Sequence, residues 1–262
     1  MFHIELAGVL IQVDNQYEAV KKQCRAFITE EGEKPAFRVA ATEQECRIES
    51  VVPAYGEEIS LCRKISVGLL EQGVLMFHAA AIEKDGAGYL FAGKSGIGKT
   101  THIRLWQKAF GDAVRVINGD KPLLRFESGR LMAYGSPWMG KERLGCNAKA
   151  PVKAICFLER GSQNQLVPIE ADEAMERLFQ QVLIPGETAG MDRLLALGER
   201  ILTSVPCYLL RCRADGEAAV IHKGCFNRNF PAWHLKGKGA VALISQFDFV
   251  ALAVGHSQFI QR

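Results

Sequence analysis

The chain has 262 residues, 48% of them hydrophobic and 23% charged, an ordinary globular composition with length for one large domain or two small ones. The net charge is +3, but residues 222–262 hold five of the 32 basic and one of the 29 acidic residues, leaving 27 against 28 in residues 1–221. That near-neutral body, with no basic stripe, argues against nucleic acid as a partner. No apolar run reaches the ~18 residues needed to span a bilayer. Met1-Phe2-His3-Ile4-Glu5 lacks the basic and long apolar regions of a secretion signal, so a cytoplasmic protein with no membrane partner is expected. None of the eight cysteines has C-x-x-C spacing, and they read as reduced thiols rather than zinc or redox pairs.

Residues 1–56 read as β-rich. Phe2, Ile4 and Leu6 alternate with other residues, and Val9, Ile11 and Val13 do the same after Gly8. Tyr17 to Phe27 fits a short helix or a strand edge. Phe37-Arg38-Val39 and Arg47 to Val52 read as further short strands. Pro53 and Gly56 punctuate. Ile59, Leu61, Cys62, Ile65, Leu69 and Leu70 then predict a helix from about Glu57 to Glu71, ended by Gly73.

Leu75 to Ile82 reads as one apolar strand interrupted by His78. Asp85-Gly86 is a hairpin signal, and Tyr89 to Ala92 is the returning strand. That strand leads into Gly93-Lys94-Ser95-Gly96-Ile97-Gly98-Lys99-Thr100-Thr101, which fills every fixed position of G-x-x-x-x-G-K-[ST]. Glycines let successive backbone N–H groups curl around phosphate oxygens, and the helix that follows turns its positive end toward them. In such loops the lysine reaches the β- and γ-phosphates and the threonine hydroxyl ligates Mg²⁺. The expected ligands are therefore ATP, bound by residues 93–101, and Mg²⁺, on Thr100.

A helix from Lys99 to Phe110 and a strand through Val114, Val116 and Ile117 come next. Asn118-Gly119-Asp120-Lys121-Pro122 closes the strand, and Asp120 stands where a second Mg²⁺-holding carboxylate belongs. An exposed turn is the alternative, since these are turn formers. Leu123 to Phe126, Ser128-Gly129 and Arg130 to Tyr134 read as a second hairpin. Gly135 to Glu142 is a glycine-rich loop carrying Trp138, Lys141 and Glu142. A strand opens at Pro151 with Val152, Ala154, Cys156 and Leu158 alternating. Helices are expected around Met175, Leu178, Phe179 and Val182, and from about Gly190 to Ser204. Cys207 to Leu210 is a final strand, Gly216 to Ile221 a short helix, and residues 222–262 an extension of no assigned role.

Phe77-His78-Ala79-Ala80-Ala81, the Asp85-Gly86 turn and the Gly93–Thr100 loop together resemble the kinase domain of HPr kinase/phosphorylase. The stretches Thr101 to Trp106, Pro137 to Glu142 and Phe157 to Arg160 are similar to a bacterial branch of that family that tends to occur with peptide-modification systems. The resemblance covers roughly residues 57–221. It implies a mixed α/β fold of the phosphoenolpyruvate-carboxykinase-like P-loop type, with an antiparallel hairpin feeding the loop. The implied organisation is a nucleotide-binding domain at 57–221 with residues 1–56 packed on it.

The resemblance also implies roles. His78 lies near the transferring phosphoryl group, Asp120 matches the second of a pair of aspartates, and Glu142 matches a downstream metal ligand. Catalysis thus falls to His78 and Asp120, and metal to Thr100, Asp120 and Glu142. The first aspartate, the family's general base, falls at Gly119. The implied activity is an ATP-dependent kinase acting on a hydroxyl of a peptide or protein. The alternative is a nucleotide-binding regulatory or assembly protein with weak or no catalysis; a carboxykinase is a third and weaker option, because the sequence shows no second cluster of Arg, Lys and His for a dicarboxylate and metal. The acceptor is unnamed by the sequence, and a homo-oligomer is left open.

Overall fold

Alternating residues build the first sheet. In the computed structural model, which describes residues 1–30 and 34–213, β1 (Phe2–Leu6) and β2 (Val9–Asp14) pair antiparallel with Phe2 opposite Val13. Ile4, Leu6, Ile11 and Val13 are wholly buried on its inner face. The segment left open between helix and strand edge is a helix, α1 (Glu18–Cys24), with one 3₁₀ turn after it. The two-residue β3 (Ile28–Thr29) and then β4 (Phe37–Ala40) complete a sheet of order β3-β1-β2-β4. The expected helix at 216–221 and the extension at 222–262 lie outside the described residues.

Arg47 to Val52 is not the expected strand. Arg47 to Glu49 close a helix, α2 (Glu43–Glu49). The cause is a capping box: Thr42 Oγ1 accepts from the Glu45 amide at 3.2 Å, and Glu45 Oε2 accepts from the Thr42 amide at 2.7 Å. Two otherwise unpaired helix-end amides are satisfied this way, and that outweighs the β-preference of Ile48, Val51 and Val52. The next helix, α3 (Pro53–Glu71), begins four residues before the expected Glu57, because Pro53 occupies the first turn, where its missing N–H costs nothing. Its buried face (Ile59, Cys62, Ile65, Leu69) shares one apolar cluster with the first sheet. The wholly buried Glu57 carboxylate accepts from the amides of Gln16 at 2.5 Å and Tyr17 at 2.9 Å, tying α3 to the entry of α1.

The second sheet and its covering helices take the rest of the described residues. In order come β5 (Val74–Met76), β6 (Ala79–Lys84), β7 (Ala87–Ala92), α4 (Lys99–Phe110) and β8 (Val114–Asn118). They are followed by β9 (Leu123–Glu127), β10 (Arg130–Tyr134), β11 (Lys149–Arg160) and β12 (Gln165–Pro168). Two helices, α5 (Ala171–Phe179) and α6 (Thr188–Ser204), precede β13 (Cys207–Cys212). The strand order is β5-β9-β10-β11-β7-β6-β8, with β13 against β11 and β12 against β13. Parallel and antiparallel pairs are mixed: β7 and β13 run parallel to β11, and β10 antiparallel to it. Asp85 (φ 53°) and Gly86 (φ 74°) form a two-residue turn that pairs β6 with β7.

Leu75 to Ile82 is not one strand. β5 pairs with β9, Met76 opposite Leu123, while β6 pairs with β8, Ala81 opposite Asn118. Between those pairs the ladder is interrupted. The amides of Phe77, His78 and Ala79 donate instead to the carbonyls of Pro122 (3.0 Å), Gln181 (2.7 Å) and Asp120 (3.0 Å). Helices α5 and α6 cover one face of the sheet, packing Leu178, Leu194 and Ile201 against Leu90, Ile155 and Phe157. Helix α4 covers the other with Ile103 and Trp106 against Tyr89 and Phe91. Burying a side chain of that size contributes about 1.5–3 kcal/mol. Among the described residues no helix is long and apolar enough to cross a membrane, and the seven cysteines are free thiols.

Candidate functional site

The interruption in the ladder positions the site. Phe77–Ala79 and Asp120–Pro122 hydrogen-bond through their backbones, so His78 and Asp120, far apart in sequence, become neighbours. His78 Nε2 donates to Asp120 Oδ1 at 3.3 Å, and Lys121 Nζ donates to Asp120 Oδ2 at 2.5 Å. All three side chains are largely buried. Asn118, wholly buried, fixes the turn: its Oδ1 accepts from the amides of Asp120 (2.8 Å) and Lys121 (2.7 Å). Its amide nitrogen donates to both oxygens of Ser136 at 3.1 Å, and Ser136 Oγ donates to the Lys121 carbonyl at 2.6 Å.

Across from this turn, β7 delivers the glycine loop. Gly96 and Gly98 take φ of 77° and 117°, conformations open to glycine at little cost. Gly98 is the N-cap of α4 and supplies no side-chain acceptor, so the helix presents its first amides and positive end uncapped by any side chain. Lys99 folds back under the loop and donates to the Gly93 carbonyl at 2.8 Å. Arg160, at the end of β11, donates to the Gly96 carbonyl at 3.2 Å. The helix is locked behind the loop by Trp106, whose Nε1 donates to His102 Nε2 at 3.1 Å while its ring packs on Phe91.

The two halves face one cavity of about 310 Å³. Ser95, Gly96, Gly98, Lys99, Thr100 and Thr101 line one side, and His78, Gly119 and Asp120 the other. Met139, Gly140, Lys141, Glu142 and Leu144 form the rim. Of the expected site residues, Gly93, Lys94 and Ile97 are not in the lining. Glu142 is half exposed, and its Oε2 accepts from Arg104 on α4 at 2.7 Å. Among the described residues no three His, Cys, Asp or Glu side chains group as a metal cluster.

The electrostatics are set by burial against partners. Burial alone would raise the Asp120 pKa, but the His78 hydrogen bond and the Lys121 charge outweigh it and hold the carboxyl well below its usual range. Burial pushes His78 down from its ordinary value, against the pull of Asp120, so its imidazole is neutral near pH 7. Burial also lowers Lys99, to about 8, with Asp120 opposing and Lys121 reinforcing the shift. Lys121 is raised: burial works against its charge, and Asp120 overcomes it.

Gly119 is explained by packing. Its amide donates to the Leu144 carbonyl at 2.8 Å. A Cβ there would stand 3.1 Å from the carbonyl oxygens of both Met139 and Leu144. Sequence reasoning missed Lys121, Asn118 and Ser136. The run Asn-Gly-Asp carried a usable signal, because an asparagine before a turn commonly accepts from backbone amides two residues on.

Residues 57–221 match the family described as SynChlorMet cassette protein ScmC. The chain belongs to that family. No curated protein matches it. Among solved structures it is similar to the Hpr(Ser) kinase/phosphatase from Coxiella burnetii, at 13% identity. That likeness covers 57% of this chain and 91% of the other, with a TM-score of 0.31. At that score it carries no argument about fold or activity.

Proposed function

We propose that this chain is an ATP-dependent kinase that transfers the γ-phosphoryl group to a hydroxyl of a peptide or protein. One observation carries the reading: an uncapped helix start with its Lys99 and Thr100, and a buried His78–Asp120 pair, face the same cavity. The first amides of α4 and the Lys99 ammonium bind the phosphates. The donor set suits a hard divalent cation, since Asp120 is ionised and sits with Thr100 in the lining. Thr100 and Asp120, with Glu142 at the rim, would hold Mg²⁺. Bound there, Mg²⁺ neutralises charge on the phosphates.

The terminal phosphorus–oxygen bond of ATP breaks, a bond from phosphorus to the acceptor oxygen forms, and ADP leaves. Gly119 has no side chain to take the acceptor's proton. His78 is neutral, held in orientation by Asp120, and takes it instead. The second reading, a nucleotide-binding regulatory protein, is favoured by the close packing at Gly119, where even a Cβ would stand 3.1 Å from two main-chain oxygens.

Titration calorimetry with Mg·ATP, on wild type, Lys99→Ala and Asp120→Asn, tests the reading. Both variants are expected to bind more weakly, with Asp120→Asn losing mainly the metal-dependent part. Equal affinity in all three overturns nucleotide binding at this site. Binding without transfer to any peptide or protein hydroxyl hands the case to the regulatory reading.

A further inference from the structure

With its ion-pair partners counted, the pocket is net positive before any ligand arrives. Each of its carboxylates is already matched: Asp120 by Lys121 at 2.5 Å and Glu142 by Arg104 at 2.7 Å. Lys99 and Lys141 add two further cations to the lining. The Lys121 side chain is only 8% exposed and is not itself part of the lining. It reaches Asp120 from within the protein, and its backbone is pinned by Asn118, Ser136 and the Trp138 carbonyl. A buried ammonium held this firmly is a permanent charge beside the carboxylate, because withdrawing it would strand two buried ions.

We propose that Lys121 is a positioning residue acting through Asp120: a resident counter-cation that makes the pocket refuse a divalent cation arriving without phosphate. Lys121 neutralises the one buried carboxylate that could attract such an ion. A bare cation entering the pocket therefore meets Lys99 and Lys141, with the Asp120 charge already cancelled by Lys121. An ion carried by a polyphosphate brings that negative charge with it. Asp120 still has lone pairs beyond the two engaged by His78 and Lys121, so it remains a competent ligand once repulsion is cancelled. The inference rests on the kinase reading only for what carries the metal in.

The test is direct Mn²⁺ binding, followed by loss of the free-ion electron paramagnetic resonance signal, in wild type and Lys121→Met, each without nucleotide and with ADP. Wild type is expected to bind Mn²⁺ measurably only with ADP. Lys121→Met is expected to bind Mn²⁺ alone at least about tenfold more tightly than wild type, since a unit charge a few ångströms away is removed from a poorly screened site. The double variant Lys121→Met/Asp120→Asn should lose that gain, and Lys121→Arg, which keeps the charge, should not show it. A role in folding alone predicts no gain of affinity anywhere. Equal Mn²⁺ affinity in Lys121→Met and wild type overturns the inference. So does tight binding of Mn²⁺ alone by wild type, a measurement that needs no variant to fold. A gain in Lys121→Met with no ADP binding in either protein sinks the kinase reading and leaves this one standing; ADP binding with no gain does the reverse.

Discussion

Replacing Gly119 tests whether the site lacks a base by accident or by construction. Gly119 is not among the left-handed glycines, so a side chain there meets no backbone strain. What it meets is the rim loop. An ideal Cβ lies 3.1 Å from the Met139 and Leu144 carbonyl oxygens and 3.3 Å from the Leu144 Cβ. Two of these three atoms are main chain, and the loop is pinned by Gly119 N to Leu144 O at 2.8 Å and Lys121 N to Trp138 O at 3.2 Å. It must move by a few tenths of an ångström or give up a hydrogen bond. Overpacking of this kind costs about 1–3 kcal/mol. At about 2–4 °C per kcal/mol for a chain of this size, Gly119→Ala should lower Tm by roughly 2–12 °C. Gly119→Asp should lower it further, because its carboxylate is driven against two carbonyl oxygens, and it should not raise phosphoryl transfer. The assay is calorimetric melting, with Gly186→Ala as control, since a Cβ there has nothing within 4 Å. If Gly119→Ala melts with wild type, the close-packing account is wrong. If Gly119→Asp gains transfer, the site was merely missing its base.

Three further outcomes are expected. His78→Ala should lower turnover by about 10²–10⁴-fold while leaving ATP affinity nearly unchanged, as for a group that acts mainly in the transition state; equal losses in both would remove it from the proton-transfer step. Burial disfavours the Lys99 ammonium and brings its pKa to about 8. Nucleotide affinity, measured by calorimetry, should therefore be full below that pH and fall as pH rises through it, by up to about tenfold one unit above, whereas Lys99→Arg should show a flat profile. Glu57→Ala leaves the amides of Gln16 and Tyr17 without their shared acceptor and should cost about 2–4 kcal/mol in chemical denaturation, with Glu57→Gln recovering part of it.

What the sequence disclosed was local. The glycine loop, the Asp85-Gly86 turn and the helix after Gly98 are each fixed by neighbours in the chain, and each could be read from spacing. So could the alternation of β1 and β2. The strand expected at 47–52 failed because the apolar run was weighed and the Thr42–Glu45 capping box was not, although both were visible. The Met76–Ala79 interruption could not be read in the same way. It exists because the amides of Phe77 and Ala79 find partners at Pro122 and Asp120, and that pairing is a property of the assembled sheet. The pairing of Asp120 with Lys121 was adjacent in sequence yet unremarked, since neighbouring residues on a turn need not face each other. Gly119 looked like a loss of function along the chain; in space it is the contact point of the rim loop.

The longest strand sets a timetable for the chain as it is made. β11 pairs with β7 through its middle, Val152 to Phe157, with β10 at its beginning and with β13 at its end. β6 and β7 can zip together as soon as both exist, because their turn is two residues long. The other flank of β7 is not synthesised until Lys149 and beyond, and the Arg160 contact to the Gly96 carbonyl comes last of all. A nascent chain that has already made Gly93 to Thr100 therefore carries that loop with one wall missing. Domains generally fold as units during synthesis, and contacts of long sequence separation form late. On the kinase reading, a nucleotide that meets the chain before residue 160 is made finds the glycine loop without its β11 flank and without its Arg160 contact.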